Sequence, residues 1–180
     1  MGRLIFITGG ARSGKSRFAE RTAETLAEAK SSRIGYVATA VAMDEEFTER
    51  IRIHRERRSG VYETFEEPVA IDRAAEAALA THPVVLLECL TVWLGNVFVR
   101  PGPLDSHEGF AMECLERLLE KTAASASTLL LISNEVGLGI VPADPLSRAY
   151  RDAHGRINQR VAAAAQEAHF VVSGIPLRLK

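Results

Sequence analysis

Four stretches of the chain are short, almost unbroken apolar runs: residues 3–8, 33–39, 84–88 and 128–133. Runs of this length and continuity predict strands covered on both faces, as in a parallel sheet. Residues 62–66 alternate in character and predict a shorter strand, and residues 170–173 predict a last buried one. Between these runs apolar positions recur at helical spacing. Phe18, Ala19, Thr22, Leu26 and Ala29 mark a helix over 15–29, and Phe110, Met112, Cys114, Leu115, Leu118 and Leu119 mark one over 106–124. Further helices are predicted over 44–58, from Pro68 to about residue 80, over 89–99 and over 146–168, with residues 162–165 as an Ala-rich patch. Pro101-Gly102-Pro103 breaks the chain into a loop, and the tail from 174 to 180 can add an edge strand. The alternation predicts an α/β fold, one domain over residues 1–180, with a mainly parallel sheet flanked by helices and right-handed crossovers.

Composition changes this picture mainly by exclusion. A chain of 180 residues suits one domain with a real core and is too short for two comfortable ones. Its net charge of −1 supplies no electrostatic footprint for nucleic acid or an anionic membrane, and no basic, aromatic-studded stripe is present. No nucleic-acid partner and no membrane span are expected. Cys89 and Cys114 are the two cysteines, in apolar contexts and in no metal-ligand spacing. Buried thiols in a reducing compartment are expected. The first strand begins at residue 3, which leaves no export signal, so a cytoplasmic location is expected.

The first candidate chemistry lies between the first strand and the first helix. Gly9, Gly10, Ala11, Arg12, Ser13, Gly14, Lys15 and Ser16 read G-x-x-x-x-G-K-S. A chance match in a chain this long is on the order of 1%, and the strand and helix flanks are what a phosphate-binding loop requires. A Gly-rich turn capped by a helix would have no use for Lys15. The glycines let backbone N–H groups point inward, and the helix N-terminus adds about half a positive charge. Lys15 is expected on the β- and γ-phosphates of a nucleoside triphosphate and Ser16 on Mg2+.

Two more stretches bear on the chemistry. The apolar strand 84–88 ends in Glu88, as a Walker B element does, and this acid is expected in the Mg2+ shell. Past the strand at 128–133, Asn134, Glu135, Gly137 and Gly139 occupy the kind of carboxyl-end loop where parallel α/β sheets bind ligands. Residues 50–58 carry five arginines and His54, with Arg50, His54, Arg57 and Arg58 on one helical face. Such a run is commonly a solvated face. Beside a phosphate loop it can instead bind phosphate oxygens and offset transition-state charge. Neighbouring cations disfavour the imidazolium, which leaves His54 neutral and able to attack phosphorus. His82, His107, His154 and His169 have no such setting and are read as structural or exposed.

Taken together, the motifs resemble the bifunctional adenosylcobinamide kinase/adenosylcobinamide-phosphate guanylyltransferase family of cobalamin biosynthesis. Beyond residues 8–16, they are Tyr36-Val37-Ala38-Thr39, Asp44-Glu45-Glu46 with Arg50-Ile51 and His54-Arg55, and Thr64-Phe65-Glu66-Glu67-Pro68. Leu87-Glu88-Cys89-Leu90-Thr91, Ser133-Asn134-Glu135-Val136-Gly137 with residues 139–142, Arg151-Asp152 with Gly155 and Asn158-Gln159, and Val172-Ser173-Gly174-Ile175-Pro176 complete the set. They span the chain, and the set is far more specific than the loop alone.

The resemblance implies a phosphate-loop domain related to the RecA type. It implies phosphorylation of adenosylcobinamide with ATP or GTP, then transfer of GMP from GTP to adenosylcobinamide phosphate through a guanylylated histidine, His54, with Mg2+ as cofactor. Beyond the phosphate loop, it implies nucleotide contacts at Ala38, Thr39, Ala40, Arg55, Glu56, Arg57, Arg58, Glu66 and Glu88, and a homotrimer. The chain departs from the family at Tyr62, where many members carry Trp, at Phe47, where Met is common, and at Glu88, where Asp is more frequent. The competing enzyme reading is a phosphate-loop small-molecule kinase without nucleotidyl transfer, which needs the loop and Glu88 but gives His54 no covalent role. A RecA-like nucleic-acid motor or a non-catalytic nucleotide-binding module is a further class, and the charge and size stand against it.

Overall fold

The structure is a computed structural model that describes residues 2–41, Glu49, Arg52 and residues 60–180. The predicted helix over 44–58 falls almost entirely outside the described residues. The elements in order are β1 (Arg3–Gly9), α1 (Lys15–Glu28), β2 (Ile34–Ala38), β3 (Tyr62–Glu66), α2 (Ile71–Thr81), β4 (Val84–Glu88), α3 (Leu90–Phe98), α4 (Leu104–Ala124), β5 (Thr128–Ile132), α5 (Pro145–Ala164), β6 (Glu167–Val172) and β7 (Ile175–Arg178).

The seven strands form one sheet in the order β3-β2-β4-β5-β1-β6-β7. All neighbours are parallel except β6 and β7, which pair antiparallel. The unbroken apolar runs of β1, β4 and β5 are explained by burial on both faces. On one face Ala19, Ala23 and Ala27 of α1 let that helix lie close over Ile5, Ile7, Leu86 and Leu130. On the other, α2 to α5 pack Trp93, Leu94, Leu115 and Leu118 against Leu4, Phe6, Leu87 and Leu131. Trp93 is fully buried, and its indole N–H donates to Val69 O at 2.8 Å, so the ring carries no unpaired polar atom into the core.

Three boundaries differ from expectation. Pro68 does not open a helix. The Glu67 carboxylate accepts the N–H groups of Val69 and Ala70, each at 2.9 Å, holding a turn, and α2 starts at Ile71. The last long helix stops at Ala164 rather than at residue 168, because Gln166 and Glu167 are drawn to β1: Gln166 N–H donates to Leu4 O at 3.0 Å. Its side-chain oxygen accepts Leu4 N–H at 2.7 Å. The final parallel strand therefore begins at Glu167, with polar residues that a helical reading absorbs. The expected edge strand in the tail is present as β7.

All parallel strands end at one edge of the sheet. Their register puts Glu66, Ala38 and Glu88 on a single rung across β3, β2 and β4. At the ordinary strand spacing, Glu66 and Glu88 stand about 10 Å apart there, on the α1 face.

Candidate active site

The loop between β1 and α1 takes its shape from its glycines. A side chain at Gly9 would put Cβ 2.3 Å from Val171 O, and Gly14 has φ +95 at the N-cap of α1. Arg12 also has positive φ, at 57°, which for a non-glycine is strained backbone inside a functional loop. The loop is tied internally by Ser13 N–H to Gly10 O at 3.2 Å. It is tied to its surroundings by Gly174 N–H to Ser13 O at 2.8 Å and by Glu135 N–H to Gly9 O at 3.1 Å. The hairpin between β6 and β7 and the end of β5 therefore brace it from two sides. Ala11 and Arg12 are exposed, Gly10 and Gly14 are half-buried, and Ser13 is buried with its hydroxyl unpartnered.

Lys15 opens α1 and is buried, with Nζ donating to Gly10 O at 3.2 Å. Burial lowers its pKa, partly offset by Cys89 and by the charge of Glu88. Ser16, on the next position, donates its hydroxyl to Oε1 of Glu88, and Tyr36 of β2 donates its phenol to Oε2 at 2.9 Å. Both hydrogen-bond donors to this carboxylate among the described residues are neutral hydroxyls, and no lysine, arginine or histidine among those residues lies within ion-pair distance of it, Lys15 acting on it only through longer-range charge. A neutral hydroxyl and a carboxylate oxygen already in contact are hard oxygen donors that suit Mg2+, which is held by one or two carboxylates together with substrate phosphates. Among the described residues there is no group of three or more His, Cys, Asp and Glu side chains that would form an all-protein metal cage.

The Glu88–Cys89 peptide is cis. Thr39, fully buried, grips this bend. Its hydroxyl lies 3.1 Å from Glu88 O and 3.0 Å from Cys89 O, and it accepts Cys89 N–H at 3.0 Å. Asn96 in turn donates to Thr39 O at 2.7 Å. Thr39 thus contributes to the site through the position of Glu88, its hydroxyl being committed to the backbone. Ala38 sits half-buried between Glu66 and Glu88, while Ala40 and Glu66 are exposed at the rim. His54, Arg55, Glu56, Arg57 and Arg58 lie outside the described residues, as does Phe47.

Behind the site runs a polar cluster that the sequence did not advertise. His154 of α5 is fully buried, with Nε2 3.0 Å from Thr91 Oγ1 and 3.2 Å from Ser133 Oγ. Ser133 donates to Asn158 Oδ1 at 2.7 Å, and Asn158 donates to Asn134 O at 2.9 Å. Thr91 accepts Asn134 N–H at 2.8 Å. Burial pushes the His154 imidazole down to about 4, so it is neutral at pH 7. The cluster joins the ends of β4 and β5. Thr91, Ser133-Asn134 and Asn158 stand in separate family motifs, but nothing in the sequence joins them to His154. All four histidines read as structural or exposed are buried. Both cysteines are free, and burial pushes the Cys89 thiol up to about 11 and that of Cys114 to about 12. Tyr62 is buried edge-on to Tyr36, with ring centroids 6.2 Å apart.

A parallel sheet with a glycine-rich loop leading into α1, a buried lysine and a facing strand-end carboxylate defines a phosphate-loop α/β domain. Residues 5–179 match the family described as cobinamide kinase / cobinamide phosphate guanyltransferase, CobU, and the chain belongs to it. It is 40% identical over 176 residues to the bifunctional adenosylcobalamin biosynthesis protein CobP of Pseudomonas aeruginosa, covering 97% of this chain and 95% of that one. It is 37% identical over 185 residues to bifunctional adenosylcobalamin biosynthesis protein CobU of Escherichia coli, covering 98% and 99% respectively. The crystal structure of flagellar accessory protein FlaH from Methanocaldococcus jannaschii is similar with a TM-score of 0.53 at 16% identity, covering 99% of this chain and 78% of that one. At that identity the likeness is one of fold. No helix among the described residues is long and apolar enough to cross a membrane.

Proposed function

We propose that this chain phosphorylates adenosylcobinamide with a nucleoside triphosphate and then transfers GMP from GTP to adenosylcobinamide phosphate. The observation that carries the proposal is the match to a family described by both reactions, over nearly the whole chain, together with the intact Lys15, Ser16 and Glu88 constellation.

In the kinase step the acceptor hydroxyl bonds to the γ-phosphorus, the bond from that phosphorus to the β-bridging oxygen breaks, and the hydroxyl proton is released. The loop N–H groups and Lys15 orient the triphosphate and offset the charge that builds on the leaving diphosphate. In the guanylyl step an imidazole nitrogen of His54 bonds to the α-phosphorus of GTP and pyrophosphate leaves. The phosphate oxygen of adenosylcobinamide phosphate then bonds to the same phosphorus as the N–P bond breaks, giving adenosylcobinamide-GDP. Ser16 and Glu88 would hold Mg2+, which when bound draws electron density from the phosphoryl oxygens. Glu66, Ala38 and Ala40 form the rim at which the nucleotide would rest, and Arg55, Glu56, Arg57 and Arg58 would supply further nucleotide contacts, as the family resemblance implies.

We infer a cytoplasmic location, supported by two free cysteine thiols. A homotrimer is supported by Leu138, Ile140 and Val141, which are 81%, 96% and 61% exposed on the loop after β5 and offer an apolar surface to a second copy.

The test uses α-labelled and γ-labelled GTP. Acid-labile, alkali-stable label should come from the α-phosphate only and vanish in His54→Ala. Label that persists in that variant would sink the histidine assignment. No α-label in the wild-type chain would leave the kinase without nucleotidyl transfer.

A further inference from the structure

We propose that Tyr36 is a positioning residue for the metal-holding carboxylate, its phenol fixing Glu88 so that one oxygen stays turned toward Ser16 and the Mg2+ of the bound nucleotide. The proposal rests on the reading of Ser16 and Glu88 as the residues that hold this cation.

A glutamate at the end of a strand has three side-chain torsions and, left alone, samples several rotamers. Here each carboxylate oxygen has one hydroxyl donor: Ser16 on Oε1 and Tyr36 on Oε2. The two donors differ in freedom. Ser16 is half-buried at the mouth of the phosphate loop, and its hydroxyl can rotate from the carboxylate to a cation lone-pair acceptor. Tyr36 is 4% exposed, and its ring is held by an edge contact with Tyr62 at an interplanar angle of 85°. Tyr62 is itself anchored, its phenol donating to Glu24 Oε1 at 3.0 Å. Glu24 belongs to α1, the helix that carries Ser16. A closed circuit results, running from α1 through β3, β2 and β4 and back to α1. A cation held by Ser16 and Glu88 would displace the hydrogen bond between these two side chains, and the bond from Tyr36 to Oε2 would remain to hold the carboxylate. Outer hydrogen bonds of this kind typically contribute 10–100-fold to metal affinity.

The experiment is a Mg2+ titration of GTP binding, read by thermal shift and calorimetry, beside GTP binding in EDTA. It uses the wild-type chain, Tyr36→Phe, Tyr62→Phe and Glu88→Gln. In Tyr36→Phe the Mg2+ concentration for half-maximal effect should rise about tenfold, GTP binding in EDTA should be unchanged, and turnover should recover at saturating Mg2+. Tyr62→Phe should shift the Mg2+ midpoint in the same direction by less, because the ring contact remains. A wild-type Mg2+ midpoint in Tyr36→Phe, alongside a lost response in Glu88→Gln, overturns the positioning role and leaves the metal reading standing. Equal loss of GTP binding with and without Mg2+ in Tyr36→Phe also overturns it, as a purely structural effect. A wild-type Mg2+ response in Glu88→Gln overturns the metal reading and this proposal together.

Discussion

Two carboxylates in this molecule sit at the ends of neighbouring elements and are held in opposite ways. Asp72, in the first turn of α2, is 4% exposed, accepts from Arg117 Nε at 2.7 Å and from the Cys114 thiol at 3.1 Å. Glu88, at the end of β4, is held by the hydroxyls of Ser16 and Tyr36. A fixed guanidinium neutralises the first acid permanently. The second is hydrogen-bonded by two neutral hydroxyls, of which one can turn away. A carboxylate proposed to receive a cation should not already be paired with one, so the partners fit Asp72 to a structural role and Glu88 to the proposed metal-holding one.

The largest effect is expected from Glu88→Gln, which keeps the shape and removes the charge. A cation at a phosphoryl group contributes several kcal/mol of transition-state stabilisation, so turnover of GTP should fall by at least about a hundredfold with little change in thermal midpoint. A variant that loses stability but keeps turnover would erase the contrast with Asp72.

Acid provides the next test, through a buried group held by hydroxyls but never asked to release them. His154 has its pKa lowered by burial from an ordinary 6.5 to about 4. The unfolded chain therefore binds the extra proton first. The stability this contributes is full above pH 6.5 and is lost as pH falls toward 4, reaching about 3 kcal/mol in all. Denaturant midpoints across that window should fall in the wild-type chain and flatten in His154→Gln. A wild-type profile flat from pH 7 to 4.5 would contradict the burial of the ring.

Asp72→Asn should have the smallest effect. Burial raises the Asp72 pKa, but hydrogen bonds from Arg117 and Cys114 and the Arg117 charge outweigh it, leaving the carboxyl below its usual range. Its contribution is present above about pH 3.9 and is lost as pH falls further. Arg117 is 45% exposed, which weakens the pair, so the substitution should cost about 1–2 kcal/mol by urea unfolding at pH 7. Turnover should be unchanged; a large loss of activity would mean that the two acids are coupled.

The parts legible in the sequence are those whose signal is local. Gly9, Gly14, Lys15 and Ser16 lie within one loop, and the apolar runs of β1, β4 and β5 announce strands buried on both faces. Glu88 is legible because an acid ends such a run. Tyr36 is not, because it sits inside an apolar strand as any packing tyrosine does, and its partner is on another strand. The cluster of Thr91, Ser133, His154 and Asn158 is hidden for the same reason: each residue is ordinary in its own element, and only the crossing of α5 over β5 makes them a unit. The end of α5 is not legible in the sequence, because Gln166 and Glu167 look like a helix surface until β1 is there to receive them.

The position of β1 in the sheet has a consequence for the order in which the protein is made. Residues 3–7 pair with residues 128–132, and residues 5–9 with 167–171. β1 therefore has neither neighbour until more than a hundred further residues have been made. Its unpaired N–H and C=O edges and its apolar faces stay open through that interval, a window for wrong pairing that late-closing sheets share. The phosphate loop waits longer still, since Gly174 N–H, from near the end of the sequence, holds Ser13 O. Nascent chains still lacking the β6–β7 hairpin would thus carry the whole glycine-rich motif without the Gly174 bond that braces it.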